Sequence, residues 1–417
     1  MLVLTAGVGG GHEAAGRNVG AELEAAGYEV EGRDGLLAMG PHLNRALTAG
    51  YRNQARHMPA SLGAIFAVTC HPAGAAAIRR AVGLLHARRL GKTIREVGPD
   101  AVISTYPLVT AALGRLRRGG SLEVPAIALI PDYGVHPLWV SPGLDLHLVA
   151  SPESARLAAA AGGRAMPVRM PVAAGFGDAP DCGVARATLG LPADAFVALL
   201  VGGVWGIGDL EGAAACALEA GAHAVVVTGE NAQLKRRLEQ RFAEQPAARI
   251  LGWRDDMPTL MAAADCLVQN AGGMTCLEAI EVGLPIVLFD PIRGHGELNA
   301  MVMEEEGVAR VARTPEDLSR LLRTEVRRES TGDRKEREAA RMPARIPALL
   351  PALLSDGAER EVPRRRYRLR RSRLRRSALA RGAVVGLISW SLFVSSVTAV
   401  GAGRGDRAAQ GRRSVEQ

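Results

Sequence analysis

Short runs of apolar residues alternate with longer amphipathic stretches over most of the chain. Runs this short have the length of buried strands, and the stretches between them have the period of helices. The apolar runs form a first series at 2–5, 101–104 and 126–130 and a second series at 197–201, 224–228, 249–251, 266–269 and 286–289. The alternation predicts an α/β protein with two doubly wound, Rossmann-like domains that face each other across a cleft.

A stretch rich in proline and glycine separates the two series and is interpreted as a linker. The alternating pattern ends near residue 355, where an arginine-rich stretch begins. The predicted segments are an N-terminal domain at 1–166, a linker at 167–182, a C-terminal domain at 183–354, a basic tail at 355–381, an apolar helix at 382–403 and a short tail at 404–417.

The segment 382–403 is 22 residues long and carries no charge. At that length a helix can span a hydrocarbon core of about 30 Å. Ten arginines lie at 364–381 and four follow the apolar segment. The positive-inside rule therefore predicts one transmembrane helix, with both domains on the cytoplasmic face of the plasma membrane. A buried or interfacial helix is one alternative, and the start of an exported domain is another.

The net charge of +8 belongs to this tail. Residues 361–417 carry 14 arginines and three acidic residues, which leaves a net charge of −3 for residues 1–360. No nucleic-acid motif and no series of stacking aromatics accompanies the arginines, so we expect no nucleic-acid partner. The five cysteines form no CxxC pair and no Cys/His metal spacing. This indicates free thiols in a reducing compartment.

A glycine turn follows the apolar run at 266–269 and opens a predicted helix with Glu278 one turn in. The unpaired N–H groups and the positive dipole end of such a helix suit a phosphate. A carboxylate one turn in can accept hydrogen bonds from a ribose diol. An ordinary βα turn, in which the glycines only make the turn tight, is the alternative. The residues of this turn are Gly272, Gly273, Met274 and Thr275.

A second glycine turn lies at the start of the chain. Gly9, Gly10 and Gly11 carry no Cβ, so a ligand can approach the backbone closely. His12 follows in the first helical turn and is predicted to face the same opening. Histidine can remove a hydroxyl proton near neutral pH. A capping or core histidine is the alternative.

The two turns together resemble the monogalactosyldiacylglycerol synthase group. That group includes bacterial processive diacylglycerol glucosyltransferases and is related to the N-acetylglucosaminyltransferase that makes lipid II. The matching positions are Gly9–His12, Ala14, Ala15, Gly252, Trp253, Asp256, Met257, Ala264, Asp265, Gly272–Thr275, Glu278, Ala279, Gly283–Pro285 and Asn299. The resemblance implies a family 28 glycosyltransferase of the GT-B type, whose N-terminal domain binds the acceptor and whose C-terminal domain binds the nucleotide sugar.

In the resembled family, a glutamate at the position of Glu278 binds the nucleotide ribose. The segment that contains Trp253 and Met257 holds the uracil. The loop after the run at 197–201 is a further candidate for the diphosphate, with a flexible turn as the alternative. Its predicted donor-binding residues are Gly203, Trp205 and Gly206.

The family's loop before the position of Asn299 contacts the donor sugar. Glu297 and Asn299 match the family pattern, but His295 replaces a glutamine. The resemblance therefore implies donor binding by these three residues and leaves the identity of the sugar open.

On the acceptor side, the segment 131–139 resembles a family loop that contains aspartate, histidine and tryptophan. The resemblance implies that Asp132 orients His12 or the acceptor, and that His136 caps an acceptor pocket lined by Gly9–Gly11. Hydrogen bonding within the loop is the alternative for both residues.

No Asp-x-Asp pair occurs in the chain, so neither a divalent metal nor a cofactor is indicated. Backbone N–H groups and helix dipoles must then stabilise the departing diphosphate. We expect an inverting, metal-independent transferase that moves a hexose or N-acetylhexosamine from a UDP-sugar to a lipid hydroxyl of the diacylglycerol type. The alternatives are transfer to a polyprenyl-linked cell-wall precursor and a non-catalytic, membrane-tethered protein that binds sugar nucleotides.

Overall fold

The computed structural model describes residues 1–8, 10–45, 47, 66, 68–270, 272–326 and 343–351. These residues form two six-stranded sheets, and all the strand pairings are parallel. The prediction of two doubly wound, Rossmann-like domains is confirmed. The central strands of each sheet are buried because they are short apolar runs covered by helices.

The first sheet has the strand order β2-β1-β3-β4-β5-β6. Its strands are β1 (Leu2–Thr5), β2 (Glu31–Asp34), β3 (Val102–Ser104), β4 (Ala126–Leu129), β5 (Leu146–Val149) and β6 (Ala165–Pro167). The helices of this part of the chain are α1 (Gly11–Ala25), α2 (Gly35–Met39), α3 (Pro72–Val97), α4 (Pro107–Arg118) and α5 (Pro152–Ala160).

The second sheet has the order β12-β11-β10-β7-β8-β9. Its strands are β7 (Val197–Val201), β8 (His223–Val227), β9 (Ala248–Leu251), β10 (Cys266–Gln269), β11 (Ile286–Phe289) and β12 (Ala309–Ala312). The helices are α6 (Ala174–Gly177), α7 (Cys182–Leu189), α8 (Leu210–Glu219), α9 (Ala232–Arg241), α10 (Met257–Ala263), α11 (Met274–Val282), α12 (His295–Glu305) and α13 (Pro315–Val326).

One buried apolar cluster extends through both domains. It contains Leu129 of the first sheet, Leu267 of the second sheet and Ile346 of the segment 343–351. That segment returns to the first domain, where the Arg345 guanidinium lies 3.8 Å from the Glu22 carboxylate of α1. The division of the chain into segments remains a prediction.

Within the described ranges, no helix combines the length and the apolar composition needed to cross a bilayer. The predicted transmembrane segment at 382–403, together with the basic and terminal tails beside it, lies outside those ranges.

Candidate active site

The strand order of each sheet reverses at one point, between β1 and β3 in the first sheet and between β7 and β10 in the second. Open parallel sheets bind ligands in the crevice at the carboxyl ends of the strands beside such a reversal. All three predicted glycine turns follow strands at these positions, namely β1, β7 and β10. The topology therefore places them at the two crevices.

The turn after β10 has the predicted form. Gly272 adopts φ +70°, and its N–H donates to Gln269 Oε1 over 2.8 Å. Helix α11 then begins at Met274 and ends before Gly283, which has left-handed backbone angles. No side chain of the described residues caps its N-terminus at Gly273. The first N–H groups of α11 are therefore available to an anion.

The turn after β1 also leads into a helix without a side-chain cap. Gly10 is the N-cap of α1 and adopts φ +78°. A Cβ on Gly10 would lie 2.8 Å from Val204 Cγ2, and a Cβ on Gly11 would lie 3.9 Å from Met274 Cγ. The N-terminus of α1 in the first domain therefore packs against the loop after β7 and the start of α11 in the second. Gly9 lies outside the described residues.

Side-chain hydrogen bonds from two neighbouring segments hold the turn after β7. The Asn270 amide donates to Ile207 O over 2.6 Å, and Asn231 donates to Trp205 O over 3.3 Å. Gly203 and Gly206 both have positive φ. The helix that follows, α8, differs from α1 and α11 because the Asp209 side chain caps its N-terminus. These contacts connect the turn to the one after β10.

His12 lies in the first turn of α1 between two aromatic rings. Its ring centroid is 5.1 Å from that of Tyr106 and 5.2 Å from that of Trp139, both edge-on. The Nδ1 atom is buried and has no hydrogen-bond partner among the described residues. Burial lowers the pKa of His12 to about 4, against the opposing effect of the Asp132 charge. The ring is therefore neutral at physiological pH, which is the form that accepts a proton.

Asp132 follows β4 and is bound by a residue of the other domain. The Asn299 amide donates to Asp132 Oδ1 over 3.2 Å, and Asn299 Oδ1 accepts from the Gly134 N–H over 2.7 Å. A Cβ on Gly273, at the start of α11, would lie 3.7 Å from Asp132 Oδ1. Asp132 thus lies beside the N-terminus of α11 and acts on His12 through its charge, and its orienting role remains a prediction.

Glu278 lies one turn into α11 and is largely buried. Burial raises the pKa of Glu278 to about 8. This carboxyl is therefore mostly protonated at neutral pH, a property that the sequence did not indicate. A ligand with hydroxyl groups would favour the ionised form, because hydroxyls donate hydrogen bonds to a carboxylate.

The segment predicted to hold the uracil follows β9. The Trp253 side chain is 55% exposed, and its Nε1 donates to Asp255 Oδ1 over 2.9 Å. Met257 is the first residue of α10 and is partly buried. An exposed tryptophan that points to solvent near the cleft is available to a planar ligand, and its role remains a prediction.

The three residues predicted to contact the sugar have different environments. Glu297 Oε2 accepts from the Gly294 N–H over 2.8 Å and caps α12. Asn299 is fully buried against the first domain. His295 begins α12, and its charge lowers the pKa values of His12 and His136, which places it near both rings. The side chains of Glu297 and Asn299 thus make hydrogen bonds within the protein, whereas that of His295 makes none to another described residue.

His136 is buried and bonded within the protein. Its Nδ1 accepts from the Leu138 N–H over 3.0 Å, and its Nε2 lies 3.1 Å from Thr69 Oγ1. Burial lowers the pKa of His136 to about 4. These contacts favour the alternative of hydrogen bonding within the loop, and the acceptor-binding role of His136 remains a prediction.

Sequence reasoning missed the residues that surround His12. Thr105 Oγ1 donates to the His12 carbonyl over 2.8 Å, and Tyr106 supplies one flanking ring. Both residues follow β3, the strand beside the reversal in the first sheet. Position after a strand was the available signal, because the carboxyl ends of β1 and β3 share one edge of the sheet.

The fold matches crystal structures of glycosyltransferases. MurG of Acinetobacter baumannii is 17% identical, with 85% of this chain and 99% of that chain covered and a TM-score of 0.53. Os79 of O. sativa, crystallised in complex with UDP, is 14% identical, with coverages of 86% and 99% and a TM-score of 0.54. The fold is therefore of the GT-B type found in glycosyltransferases.

Two family models match consecutive parts of the chain. The monogalactosyldiacylglycerol (MGDG) synthase model matches residues 12–170, and the glycosyltransferase family 28 C-terminal domain model matches residues 199–348. The chain belongs to this glycosyltransferase family, and the resemblance drawn from the two glycine turns is confirmed.

Curated relatives named processive diacylglycerol beta-glucosyltransferase match more than half of the chain. The protein from Bacillus pumilus is 29% identical over 256 residues, which cover 58% of this chain and 66% of the relative. The protein from Bacillus subtilis is 27% identical over 237 residues, with coverages of 55% and 62%. The chain thus spans somewhat less than two thirds of the length of these relatives.

Proposed function

We propose that the protein transfers a hexose or N-acetylhexosamine from a UDP-sugar to a lipid hydroxyl of the diacylglycerol type, with inversion and without a metal ion. The names of the relatives support the lipid acceptor and a glucosyl donor. The UDP complex of Os79 supports a uridine nucleotide in this fold.

One observation carries the proposal: the uncapped N-termini of α1 and α11 meet across the cleft, with His12 in the first turn of α1 and Asp132 beside the start of α11. The N-terminus of α11 can stabilise the negative charge of a diphosphate through backbone N–H groups and the helix dipole. The N-terminus of α1 supplies the proton acceptor. Leaving-group stabilisation and deprotonation of the acceptor are thus provided at adjacent points.

The transfer proceeds in one displacement. The acceptor oxygen forms a bond to the anomeric carbon on the face opposite the diphosphate, and the bond from that carbon to the β-phosphate oxygen breaks. The bonding electron pair leaves on the phosphate oxygen, which the N–H groups of α11 stabilise. The hydroxyl proton passes to the neutral ring of His12, and the nearby Asp132 charge stabilises the resulting imidazolium. Attack from the opposite face inverts the anomeric configuration.

The test is a donor and acceptor screen with the purified protein in mixed micelles. UDP-glucose, UDP-galactose and UDP-N-acetylglucosamine are each paired with diacylglycerol and with a polyprenyl-linked precursor, and the lipid products are read by mass with and without excess EDTA. We expect a β-linked glycosyl-diacylglycerol whose formation is unaffected by EDTA. A product only on the polyprenyl precursor contradicts the acceptor assignment, and loss of activity that magnesium restores contradicts metal independence.

We further propose that the C-terminal segment tethers the protein to the cytoplasmic face of the plasma membrane, on the sequence evidence of the arginines at 364–381 and the apolar run at 382–403. Deletion of 355–417 is expected to release the protein from membranes, while the full chain resists extraction by carbonate. Extraction of the full chain by salt alone contradicts a spanning helix. Continued flotation of the truncated protein with liposomes contradicts the tether.

A further inference from the structure

Asn299 connects the two domains through both ends of its side chain. It lies in the second turn of α12 and is fully buried. Its Oδ1 accepts from the Gly134 N–H over 2.7 Å, and its Nδ2 donates to Asp132 Oδ1 over 3.2 Å. Both partners belong to the loop after β4 in the first domain. Because the side chain is fully buried, these two bonds hold it between α12 and the loop after β4.

Two glycines, one from each domain, make room for this side chain. A Cβ on Gly134 would lie 2.7 Å from the carbonyl carbon of Leu298 and 2.8 Å from the backbone nitrogen of Asn299. A Cβ on Gly272 would lie 2.8 Å from Asn299 Cβ. A larger residue at Gly134 would force the loop after β4 away from α12, and one at Gly272 would do the same to the turn after β10. The contact is therefore built into the backbone of both domains.

The contact determines where the Asp132 carboxylate lies. With Oδ1 held by Asn299, the carboxylate is close to the start of α11 and acts on His12 by its charge. Apart from Asp132, the titratable groups near the His12 ring in the described structure are His295 of α12 and the Tyr106 phenol after β3. Asp132 is the acidic group among them, so its position decides how well an imidazolium at His12 is stabilised.

We propose that Asn299 is a positioning residue, which holds the Asp132 carboxylate in place for proton transfer to His12. This role rests on the proposed transferase function. Because the hydrogen bonds cross the cleft, Asp132 is correctly placed only when the two domains are together. The arrangement thus couples domain closure to the competence of the base.

The first measurement needs no substrate. The His12 ring is followed by NMR titration in the wild type, Asn299→Ala, Asp132→Asn and the double variant, with its resonances identified by their loss in His12→Gln. We expect Asp132→Asn to lower the His12 pKa, because the carboxylate charge is removed. Asn299→Ala is expected to shift it in the same direction by a smaller amount. The double variant should equal Asp132→Asn alone, because the role of Asn299 acts through Asp132.

The second measurement separates positioning from donor binding. Asn299→Ala is expected to lower kcat about tenfold while the KM for the UDP-sugar stays within about twofold. Asn299→Asp should lower kcat further, since it sets two carboxylates against each other. Combining Asn299→Asp with Asp132→Asn re-forms the hydrogen bond in the opposite direction, and should recover the thermal stability lost in Asn299→Asp.

An unchanged His12 pKa in Asn299→Ala, or additive shifts in the double variant, overturns the positioning role. A raised KM with unchanged kcat overturns it as well, and assigns Asn299 to the donor. If the wild type glycosylates none of the acceptors, the proposed function fails. The His12 titration, and the thermal stability of the double variant Asn299→Asp with Asp132→Asn, then still decide whether Asn299 holds Asp132.

Discussion

The Arg169 guanidinium holds the Glu281 carboxylate through two hydrogen bonds, of 3.0 and 2.5 Å. Arg169 follows the last strand of the first sheet, and Glu281 lies in the last turn of α11. Arg345 approaches the same carboxylate at 3.5 Å and lies 3.8 Å from Glu22 of α1. The helices whose N-termini meet at the cleft are therefore also linked by charged groups farther along their length.

Removing Arg169 should destabilise the protein. The Glu281 side chain is only 5% exposed, so Arg169→Ala leaves a buried carboxylate with a single, longer ion pair to Arg345. We expect the free energy of unfolding to fall by about 3 kcal/mol in guanidinium denaturation. Arg169→Lys should be intermediate, because a lysine cannot make the two parallel bonds.

Arg156→Ala, which removes an exposed pair with Glu153, is the control and should have a much smaller effect. Equal losses in Arg169→Ala and this control would contradict the proposed importance of the buried pair.

Replacing His12 should affect turnover and not nucleotide binding. We expect His12→Ala to lower kcat by roughly 10² to 10⁴-fold, because the variant lacks the group that accepts the hydroxyl proton. UDP affinity, measured by calorimetry, should stay nearly unchanged. His223→Ala, at the start of β8 and away from the cleft, is the matched control. Unchanged turnover in His12→Ala removes this residue from the mechanism.

Binding of a UDP-sugar should release a proton from Glu278. Burial raises the pKa of this carboxyl to about 8, and hydrogen bonds from ribose hydroxyls stabilise the ionised form. Affinity should therefore increase as the pH rises from 6 to 8. Calorimetry in two buffers of different ionisation enthalpy measures the number of protons released on binding. Glu278→Gln should remove the pH dependence, and Glu278→Ala should weaken binding by about 1.5–3 kcal/mol. If a 2′-deoxy UDP-sugar binds as tightly as the parent, the ribose assignment is wrong.

Acid should destabilise the fold through His12 and His136. Burial lowers both pKa values to about 4, below the unfolded value of 6.5, so the unfolded state binds more protons between these pH values. The stabilisation is fully present above pH 6.5 and is lost as the pH falls toward 4. Denaturation at several pH values measures the slope, which His136→Asn should reduce while keeping an acceptor for the Leu138 N–H.

Local pattern was sufficient for most of the secondary structure near the site. The strand before Gly272 and the helix after it, with Glu278 one turn in, agree with the prediction. Each depends on neighbours a few residues apart, such as an apolar run, a glycine with positive φ or a helix period. The glycine turns also indicated the family. Each turn combines a backbone that a ligand can approach closely with a side chain that can act on the ligand, His12 after one turn and Glu278 after the other.

The electrostatic state of the site could not be predicted in this way. Neither the lowered pKa of His12 nor the raised pKa of Glu278 follows from residue type, because both result from burial by distant parts of the chain. His12 is enclosed by Tyr106 and Trp139, which are remote in sequence and adjacent only after folding.

The sequence by itself determined that the chain alternates strands and helices, that glycine turns open α1 and α11, and that His12 and Glu278 lie at those turns. Only the tertiary structure decided what these groups contact. Asp132 and Asn299 are 167 positions apart, and their hydrogen bond exists because two separately wound sheets bring their carboxyl edges together. Periodicity and turn chemistry act over a few residues, whereas the packing of one domain on another depends on the shape of both surfaces.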